Sequence, residues 1–292
     1  MRTTIDPVTF AVVKHRLDAI VEEMAYTVLR TARSEIVKDV MDFSAAICDR
    51  GGQMIAQAKT IALHLGAVPE AMGVVLECYA DTLVEGDAII LNDPYQGGMH
   101  LPDIFMFMPV FYDSQLQAFT VVICHHTDVG GRVPGSNASD STEIFQEGLR
   151  IPALKLFERG QPNTTLMSVV EANVRLPDRV LGDLKAQYAA CRTGGLELEK
   201  IFRRYGPIDA QRYFSELLDY AEHMTREEIS TWPDGTYSFE DYVDDDGLSE
   251  APLSIQVSVT VHGDSITVDY EGSSSQVQAA LNSTKSYTNS CT

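Results

Sequence analysis

The side chains most able to do chemistry are grouped in the first half of the chain. The segment NDPYQGGMHLPD carries His100 and Asp103, and the segment HHTDVGG carries His125, His126 and Asp128. Imidazole and carboxylate groups bind divalent metal ions, and imidazole also exchanges protons near neutral pH. These residue types therefore indicate a metal site, acid–base chemistry, or both.

The two segments flank two apolar runs, 103–113 and 118–128, rich in β-branched and aromatic residues. The pattern predicts two antiparallel strands joined by a four-residue connection. The start of the first strand then lies beside the end of the second, so His100 and Asp103 can meet one of the two adjacent histidines. Consecutive strand residues point to opposite faces. The spacing thus predicts that one histidine binds the metal. The other is predicted to contact the substrate or a side chain that binds the metal.

A His/Asp/His set that leaves room for water or substrate suits Zn²⁺, Mn²⁺ or Fe²⁺. Any single histidine here is typical of a structural residue, and only the convergence of several favours a site. Two further residues have ordinary structural interpretations. Asp42 begins another predicted strand, where capping or turn carboxylates are common, and His64 in IALHLGAVPE is typical of a buried core histidine.

Other catalytic and nucleotide-binding patterns are missing from the sequence. The glycine pairs at 97–98 and 130–131 match neither a P-loop nor a dinucleotide-binding fingerprint. No GxSxG motif is present, and Cys124 lies in an apolar strand pattern, so a serine or cysteine nucleophile has little support. The sequence therefore predicts that this chain has no ATP site of its own.

The elements that must position these residues predict an α+β fold with antiparallel sheets and long helices. Apolar spacing predicts a helix over 6–33, and a turn signal at DRGG predicts a hairpin at 42–58. The final segment ALNSTKSYTNSCT has no recognisable helix cap or closing element. We predict a metal-binding α+β domain at 1–164, a helical segment at 165–231, and the incomplete start of a second β-rich domain at 232–292.

Composition limits the class of protein and its partners. The chain has 292 residues, 45% of them hydrophobic, and a net charge of −20. That charge repels polyphosphate backbones and argues against nucleic acid as a partner. Five cysteines without CxxC spacing favour a reduced, cytoplasmic setting. The N-terminus has no continuous apolar run typical of a signal peptide, and no stretch is long and apolar enough to predict a membrane helix.

Seven segments, in order over nearly the whole chain, resemble the hydantoinase B/oxoprolinase family, which also contains the large subunits of acetone and acetophenone carboxylases. They are DPVTFAVVKHRLDAIVEEM, DFSAAICDRGGQMIAQA, HLGAVPEAM, LNDPYQGGMHLPD, HHTDVGG, QEGLRIPALKL and ANVRLPDRVLGDLKAQ. Together they are far more specific than any one alone. The resemblance implies a hydantoinase B-like fold. Members usually continue well past the segment matching ALNSTKSYTNS, so we expect a chain that is C-terminally truncated relative to the family.

The resemblance also implies a set of metal ligands. Members hold a metal at the segments that match HLPD and HH, which makes His100, Asp103 and His125 the expected ligands of Zn, Mn or Fe. Asp42 is the expected fourth ligand, because its DFS segment matches too. The choice of His125 over His126 rests on this resemblance and not on spacing.

The same resemblance implies a reaction and a partner. Members work with a hydantoinase A-like subunit or domain that uses ATP to phosphorylate a substrate oxygen. The expected function is therefore the hydrolytic subunit of an ATP-dependent cyclic amidase, in a hetero-oligomer acting on a small cyclic amide. His126 and Asp128 are the expected catalytic residues, since either could accept a proton from an attacking water. The alternatives are a subunit of an ATP-dependent ketone carboxylase and a non-catalytic assembly subunit.

Overall fold

The computed structural model describes residues 6–292. Residues 1–5 lie outside the described residues. The predicted 1–164 domain and the N-terminal stretch that lacks a signal-peptide pattern both begin with them. The helices are α1 (Pro7–Thr31), α2 (Glu35–Lys38), α3 (Val68–Tyr79), α4 (Thr164–Asn173), α5 (Pro177–Tyr205), α6 (Pro207–Ile229) and α7 (Lys285–Cys291). Within residues 6–292, no helix is long and apolar enough to cross a membrane.

Among residues 6–292, ten strands form two sheets, and every strand pair in them is antiparallel. The strands are β1 (Phe43–Asp49), β2 (Met54–Gln57), β3 (Ala88–Leu91), β4 (Asp103–Tyr112), β5 (Gln115–His125), β6 (Leu154–Glu158), β7 (Gln161–Pro162), β8 (Gly235–Val243), β9 (Leu253–His262) and β10 (Ser265–Asp269). The larger sheet has the order β2-β1-β5-β4-β3-β6-β7, and the smaller has the order β10-β9-β8. The predicted α+β class with antiparallel sheets and long helices is confirmed.

The β4–β5 hairpin forms the centre of the larger sheet, as the apolar runs predict. Its turn is tighter than the predicted four-residue connection, because only Asp113 and Ser114 lie outside the two strands. Both have positive φ angles, 49° and 62°, which match the twist of a two-residue hairpin. The strand β5 also ends at His125, three residues before the predicted end at Asp128.

Helices cover both faces of the larger sheet. On one face, α1 buries a stripe at helical spacing that includes Val13, Leu17 and Val28, and it packs beside α5. On the other face, α3 covers a second apolar cluster that includes Phe105 and Phe119. Strand residues that alternate between the two clusters give the sheet its two buried faces.

The helical segment predicted at 165–231 consists of three helices, α4, α5 and α6. Proline stands at the first position of both α5 and α6, where its missing N–H costs nothing because that group has no partner inside the helix. Gly206 separates the two at a φ of 78°, a conformation that glycine adopts without strain.

The smaller sheet has one apolar and one polar face. Paired positions such as Thr236–Thr260 and Ser238–Ser258 form the polar face. The apolar face carries Tyr237, Phe239, Val243, Leu253, Ile255, Val257, Val259, Val261, Ile266 and Val268. Of these, Phe239 is 69% exposed and Val261 only 4% exposed. The alternation therefore produces an amphipathic sheet whose apolar face is largely open within the described chain.

The final helix α7 packs beside the larger sheet, which the sequence does not predict. Helix α7 packs against the short 3₁₀ turn Leu65–Ala67. The Ser290 hydroxyl donates to the Leu63 carbonyl and accepts the Gly66 N–H at 3.0 Å. A helix of only seven residues depends on such tertiary contacts, since short helices are marginal alone. The division into 1–164, 165–231 and 232–292 stays a prediction.

Two neighbouring glycines in α5 allow a test of how tightly α5 packs against α1 and β5. A Cβ at Gly194 would clash with the Met24 side chain and lie 2.9 Å from Thr120 Cγ2. A Cβ at Gly195 would meet only Val110 Cγ2, at an ordinary 3.6 Å. We expect Gly194→Ala to lower the free energy of unfolding by about 1–3 kcal/mol through overpacking.

The matched control is Gly195→Ala, which should raise that free energy by about 0.5–1 kcal/mol because alanine is the better helix former. Urea denaturation of both variants beside the parent chain measures the difference. Equal effects at the two positions would contradict the close contact between α1, α5 and β5.

Candidate metal centre

Three strands of the larger sheet bring candidate ligands to one edge. Strand β4 begins at Asp103 and β5 ends at His125, and the register pairs these two residues directly. Strand β1 begins immediately after Asp42, whose carbonyl accepts the His125 N–H at 3.1 Å. Because neighbouring strands run antiparallel, the starts of β1 and β4 flank the end of β5.

The side chains of His100, Asp103 and His125 converge at this edge. Each offers one nitrogen or oxygen atom, and these atoms all lie within 4.8 Å of one another. His100 Nε2 is 3.0 Å from Asp103 Oδ2, and the two imidazole centroids are 5.0 Å apart. The loop before β4 therefore turns His100 back over the strand end, and three predicted ligands come together.

A third histidine, His64, lies between two carboxylates of the same edge. Its Nε2 is 3.5 Å from Asp103 Oδ1 and 3.6 Å from Asp42 Oδ1, and its Nδ1 is 3.0 Å from Ser44 Oγ. The ring is almost fully buried. The composition around His64 indicates only a core residue. The signal that singles it out is its position in HLGAVPEAM, one of the seven segments that carry the family resemblance.

The charges of the cluster differ from one ligand to the next. Burial disfavours the charged form of Asp103, but the hydrogen bond from His100 and the proximity of His64 outweigh it and hold its pKa well below the ordinary value. Burial also disfavours charged His100, yet its bond to Asp103 raises the pKa above the ordinary value. Burial lowers the pKa of His125. The site thus combines an ionised carboxylate with an imidazole that stays neutral.

The donor atoms fit a divalent transition metal. Asp103 Oδ1 and His125 Nδ1 are buried, and neither has a hydrogen-bond partner of good geometry among residues 6–292. Buried polar atoms in native proteins nearly always have a partner, so two such atoms in one cluster call for an explanation. A site with imidazole nitrogens and a carboxylate oxygen suits Zn²⁺, Mn²⁺ or Fe²⁺, which would satisfy them.

The two predicted catalytic residues lie away from this cluster. His126 follows His125 and points to the opposite face of the sheet, where its Nε2 is 3.1 Å from Gln187 Oε1 on α5. The Gln187 amide donates to the carbonyls of Ile104 and Val122 at 2.7 and 3.1 Å. Burial lowers the pKa of His126. The hydrogen bonds of His126 and Gln187 therefore connect α5 to the strands β4 and β5.

Asp128 anchors the loop that follows β5. Its carboxylate accepts backbone N–H groups from Gly130, Gly135 and Arg175 at 2.9–3.2 Å, and the Arg175 guanidinium at 2.9 Å. Burial would raise its pKa, but these bonds outweigh burial and lower it. The carboxylate is thus engaged by its own loop and by Arg175, and the structure brings neither Asp128 nor His126 to the metal cluster.

A small cavity adjoins the cluster on the side of His100. Segments 94–100, 141–147 and 276–284 enclose a volume of about 180 Å³. Glu147 lines it as well, and burial raises the pKa of this carboxyl although the nearby His100 acts in the opposite direction. The candidate metal centre is therefore open to a small molecule on one side.

The sequence model of the hydantoinase B/oxoprolinase family matches residues 6–292. The chain belongs to this family. The match covers every segment that contributes to the cluster, including those carrying Asp42, His64, His100 and His125. The resemblance proposed from the quoted segments is confirmed.

Individual members of the family share much of the sequence. The chain is 38% identical over 280 residues to the beta subunit of caprolactamase from Pseudomonas jessenii, and 36% identical over 282 residues to the proposed B component of a D-/L-hydantoinase from a Pseudomonas species. These alignments cover 96% and 94% of this chain and 48% of each relative. The chain spans about half the length of the curated relatives it matches.

Solved structures agree with the fold. The crystal structure of the ATP-dependent caprolactamase from Pseudomonas jessenii matches 99% of this chain and 50% of its own chain, with a TM-score of 0.92 and 36% identity. Nucleotide-free acetone carboxylase matches 98% of this chain and 40% of its own, with a TM-score of 0.91 and 20% identity. At that identity the second likeness shows the fold alone.

The anchoring role of Asp128 in this family member predicts a structural phenotype. We expect Asp128→Ala to lower the free energy of unfolding by about 1.5–3 kcal/mol, because several charge-assisted hydrogen bonds lose their acceptor. The loop at 129–136 should also become more sensitive to trypsin at Arg132. Chemical denaturation and limited proteolysis provide the two measurements.

Asp140→Ala is the control, since Asp140 pairs with Arg132 on the surface of the same loop region. Exposed ion pairs contribute at most about 1 kcal/mol. If the two variants were equally stable and equally resistant to trypsin, the anchoring role of Asp128 would be wrong.

Proposed function

We propose that this chain is the metal-binding, hydrolytic subunit of an ATP-dependent cyclic amidase and works with a hydantoinase A-like, ATP-binding subunit. The observation that carries the proposal is the convergence of His100, Asp103 and His125 at one sheet edge. Two relatives support the substrate class, because their names refer to hydantoinase and caprolactamase subunits. The matching caprolactamase of known structure is ATP-dependent, which supports the use of ATP.

The proposed metal ligands are His100, Asp103, His125 and Asp42. His64 is proposed as the residue that positions Asp42 and Asp103, since its Nε2 faces an oxygen of each. When bound, a divalent ion supplies a Lewis acid that polarises an oxygen and lowers the pKa of water. The neutral imidazole of His125 and the ionised carboxylate of Asp103 keep their lone pairs available for that ion.

The remaining residues of the site hold this arrangement in place. The Gln187 amide donates to the carbonyls of Ile104 and Val122. Ile104 follows Asp103 directly, and Val122 lies three residues before His125. His126 bonds the same Gln187 side chain on the face of the sheet that α5 covers. In this proposal His126 and Asp128 orient the strand end and the following loop. Supporting contacts of this kind fix ligand geometry in metal sites.

The division of labour with a partner follows from the chemistry of amides. Resonance makes a lactam resistant to water, and transfer of the γ-phosphoryl group of ATP to the carbonyl oxygen removes that resonance. Water then adds to the carbon, the ring C–N bond breaks, and hydrolysis of the acyl phosphate gives the amino acid and phosphate. The sequence has neither a P-loop nor a dinucleotide fingerprint, so the proposal assigns ATP to the partner.

Metal content tests the proposed site directly. We expect the purified chain, after incubation with Zn²⁺, Mn²⁺ or Fe²⁺ and removal of excess ion, to hold roughly one equivalent. His100→Ala and Asp103→Ala should each reduce it at least about tenfold. Elemental analysis of the three proteins gives the measurement.

Exposed residues of the same types on α6 supply the controls His223→Ala and Asp219→Ala. Both should keep the full metal content, because neither lies near the cluster. Absence of metal from the parent chain after reconstitution would sink the proposal, as would equal metal content in all five proteins.

Turnover with a partner separates hydrolysis from its alternatives. Co-purified with a hydantoinase A-like subunit, the chain should support ATP hydrolysis that depends on a lactam and not on bicarbonate. His100→Ala should reduce this turnover at least about a hundredfold, a loss typical of a damaged metal site. Assays of phosphate and amino acid release provide the readout.

The other outcomes identify the other functions. Turnover that requires bicarbonate would favour the ketone carboxylase. Turnover that is unchanged in a metal-free His100→Ala complex would make this chain an assembly subunit.

A further inference from the structure

The cavity beside His100 has the size of a small-molecule site. At about 180 Å³ it lies well below the roughly 300–1,000 Å³ of pockets for drug-sized ligands. With about 30 Å³ for each water, it would hold about six water molecules. A single small ring fits such a volume.

The wall of the cavity combines apolar side chains with a few unsatisfied polar ones. Pro94, Met99 and Ile144 supply apolar surface. Thr284 Oγ1 is fully buried, lines the cavity and has no hydrogen-bond partner among residues 6–292. Glu147 is half-buried in the same wall. Buried hydroxyls normally have a partner, so an unpartnered one beside a cavity calls for an explanation.

Some other polar groups at the wall already have hydrogen-bond partners. The Asn282 amide bonds the backbone of Val277 and Ala279. The Glu143 side chain and Gln146 form the capping box of the short helix Ile144–Gln146. Tyr95, Thr142 and Gln276 also line the cavity but are exposed. Glu147 and Thr284 are therefore the partly buried groups that can bind a ligand, one as an acceptor and the other as a donor or acceptor.

We propose that this cavity is the binding pocket for a small lactam. The Glu147 carboxylate accepts the ring N–H, a rotation of the Thr284 side chain brings its hydroxyl to the carbonyl oxygen, and the apolar wall covers the ring methylenes. His100 lines the same cavity, so a lactam held there lies beside the metal centre. This assignment rests on the proposed function, which supplies the substrate class, and it names the residues that determine specificity.

The test measures lactam binding and metal content on the same preparations. The full chain, loaded with Zn²⁺, is titrated with ε-caprolactam by ligand-observed NMR. We expect Glu147→Ala and Thr284→Val each to weaken binding about tenfold while zinc content stays at the parent value. The matched controls Glu216→Ala and Thr225→Val, on the exposed surface of α6, should bind as the parent chain does.

A second probe tests the role of Glu147. N-methylcaprolactam lacks the N–H, so the parent chain should bind it about tenfold more weakly than caprolactam. Glu147→Ala should bind both probes equally, because it has no acceptor to lose. A variant that merely disturbed the fold would weaken both probes and keep the ratio.

The outcomes separate this proposal from the proposed function. Zinc bound in every protein, with caprolactam affinity unchanged in both pocket variants, would overturn the pocket and leave the metal-centre proposal standing. The same holds if zinc-loaded parent chain binds no caprolactam at millimolar concentration. Lactam binding that depends on Glu147 and Thr284 in a chain without bound zinc would support the pocket and contradict the metal centre.

Discussion

The antiparallel register of three strands is the constraint on which the candidate site depends. It pairs Asp103 at the start of β4 with His125 at the end of β5 and sets β1, with Asp42 before it, on the other side. Hydrogen bonds along the ladder fix these positions, and a slip of one residue would turn every side chain to the opposite face. The ligands therefore converge because the strand register places them side by side. No single loop has to carry all of them.

The same alternation gives two adjacent histidines different environments. His125 faces the cluster, whereas His126 faces α5 and bonds Gln187 inside the packed layer. A buried amide that also satisfies two strand carbonyls joins helix and sheet at the level of the site. The close approach of α5 at Gly194 belongs to the same layer. Helix packing and ligand geometry are thus coupled through a few polar contacts.

The site stands where separate parts of the chain meet. The segment with His64 and the 3₁₀ turn after it contacts the final helix α7, so residues more than two hundred positions apart support one edge of the sheet. The cavity beside His100 likewise combines residues between 94 and 147 with residues between 276 and 284. The two bacterial relatives are about twice as long as this chain, and its amphipathic smaller sheet leaves an apolar face open.

The sequence by itself determined the fold class, the central hairpin and the grouping of His100 and Asp103 with one of two adjacent histidines, because apolar alternation and strand order are local signals. Its family resemblance selected His125 over His126 and added Asp42. Tertiary structure alone decided the place of His64, since nothing in an apolar segment reveals the carboxylates that fold over it. It also decided that His126 and Asp128 bond α5 and the following loop, and that α7 returns to the sheet. Those contacts join residues far apart in the chain, and local patterns carry no information about such distances.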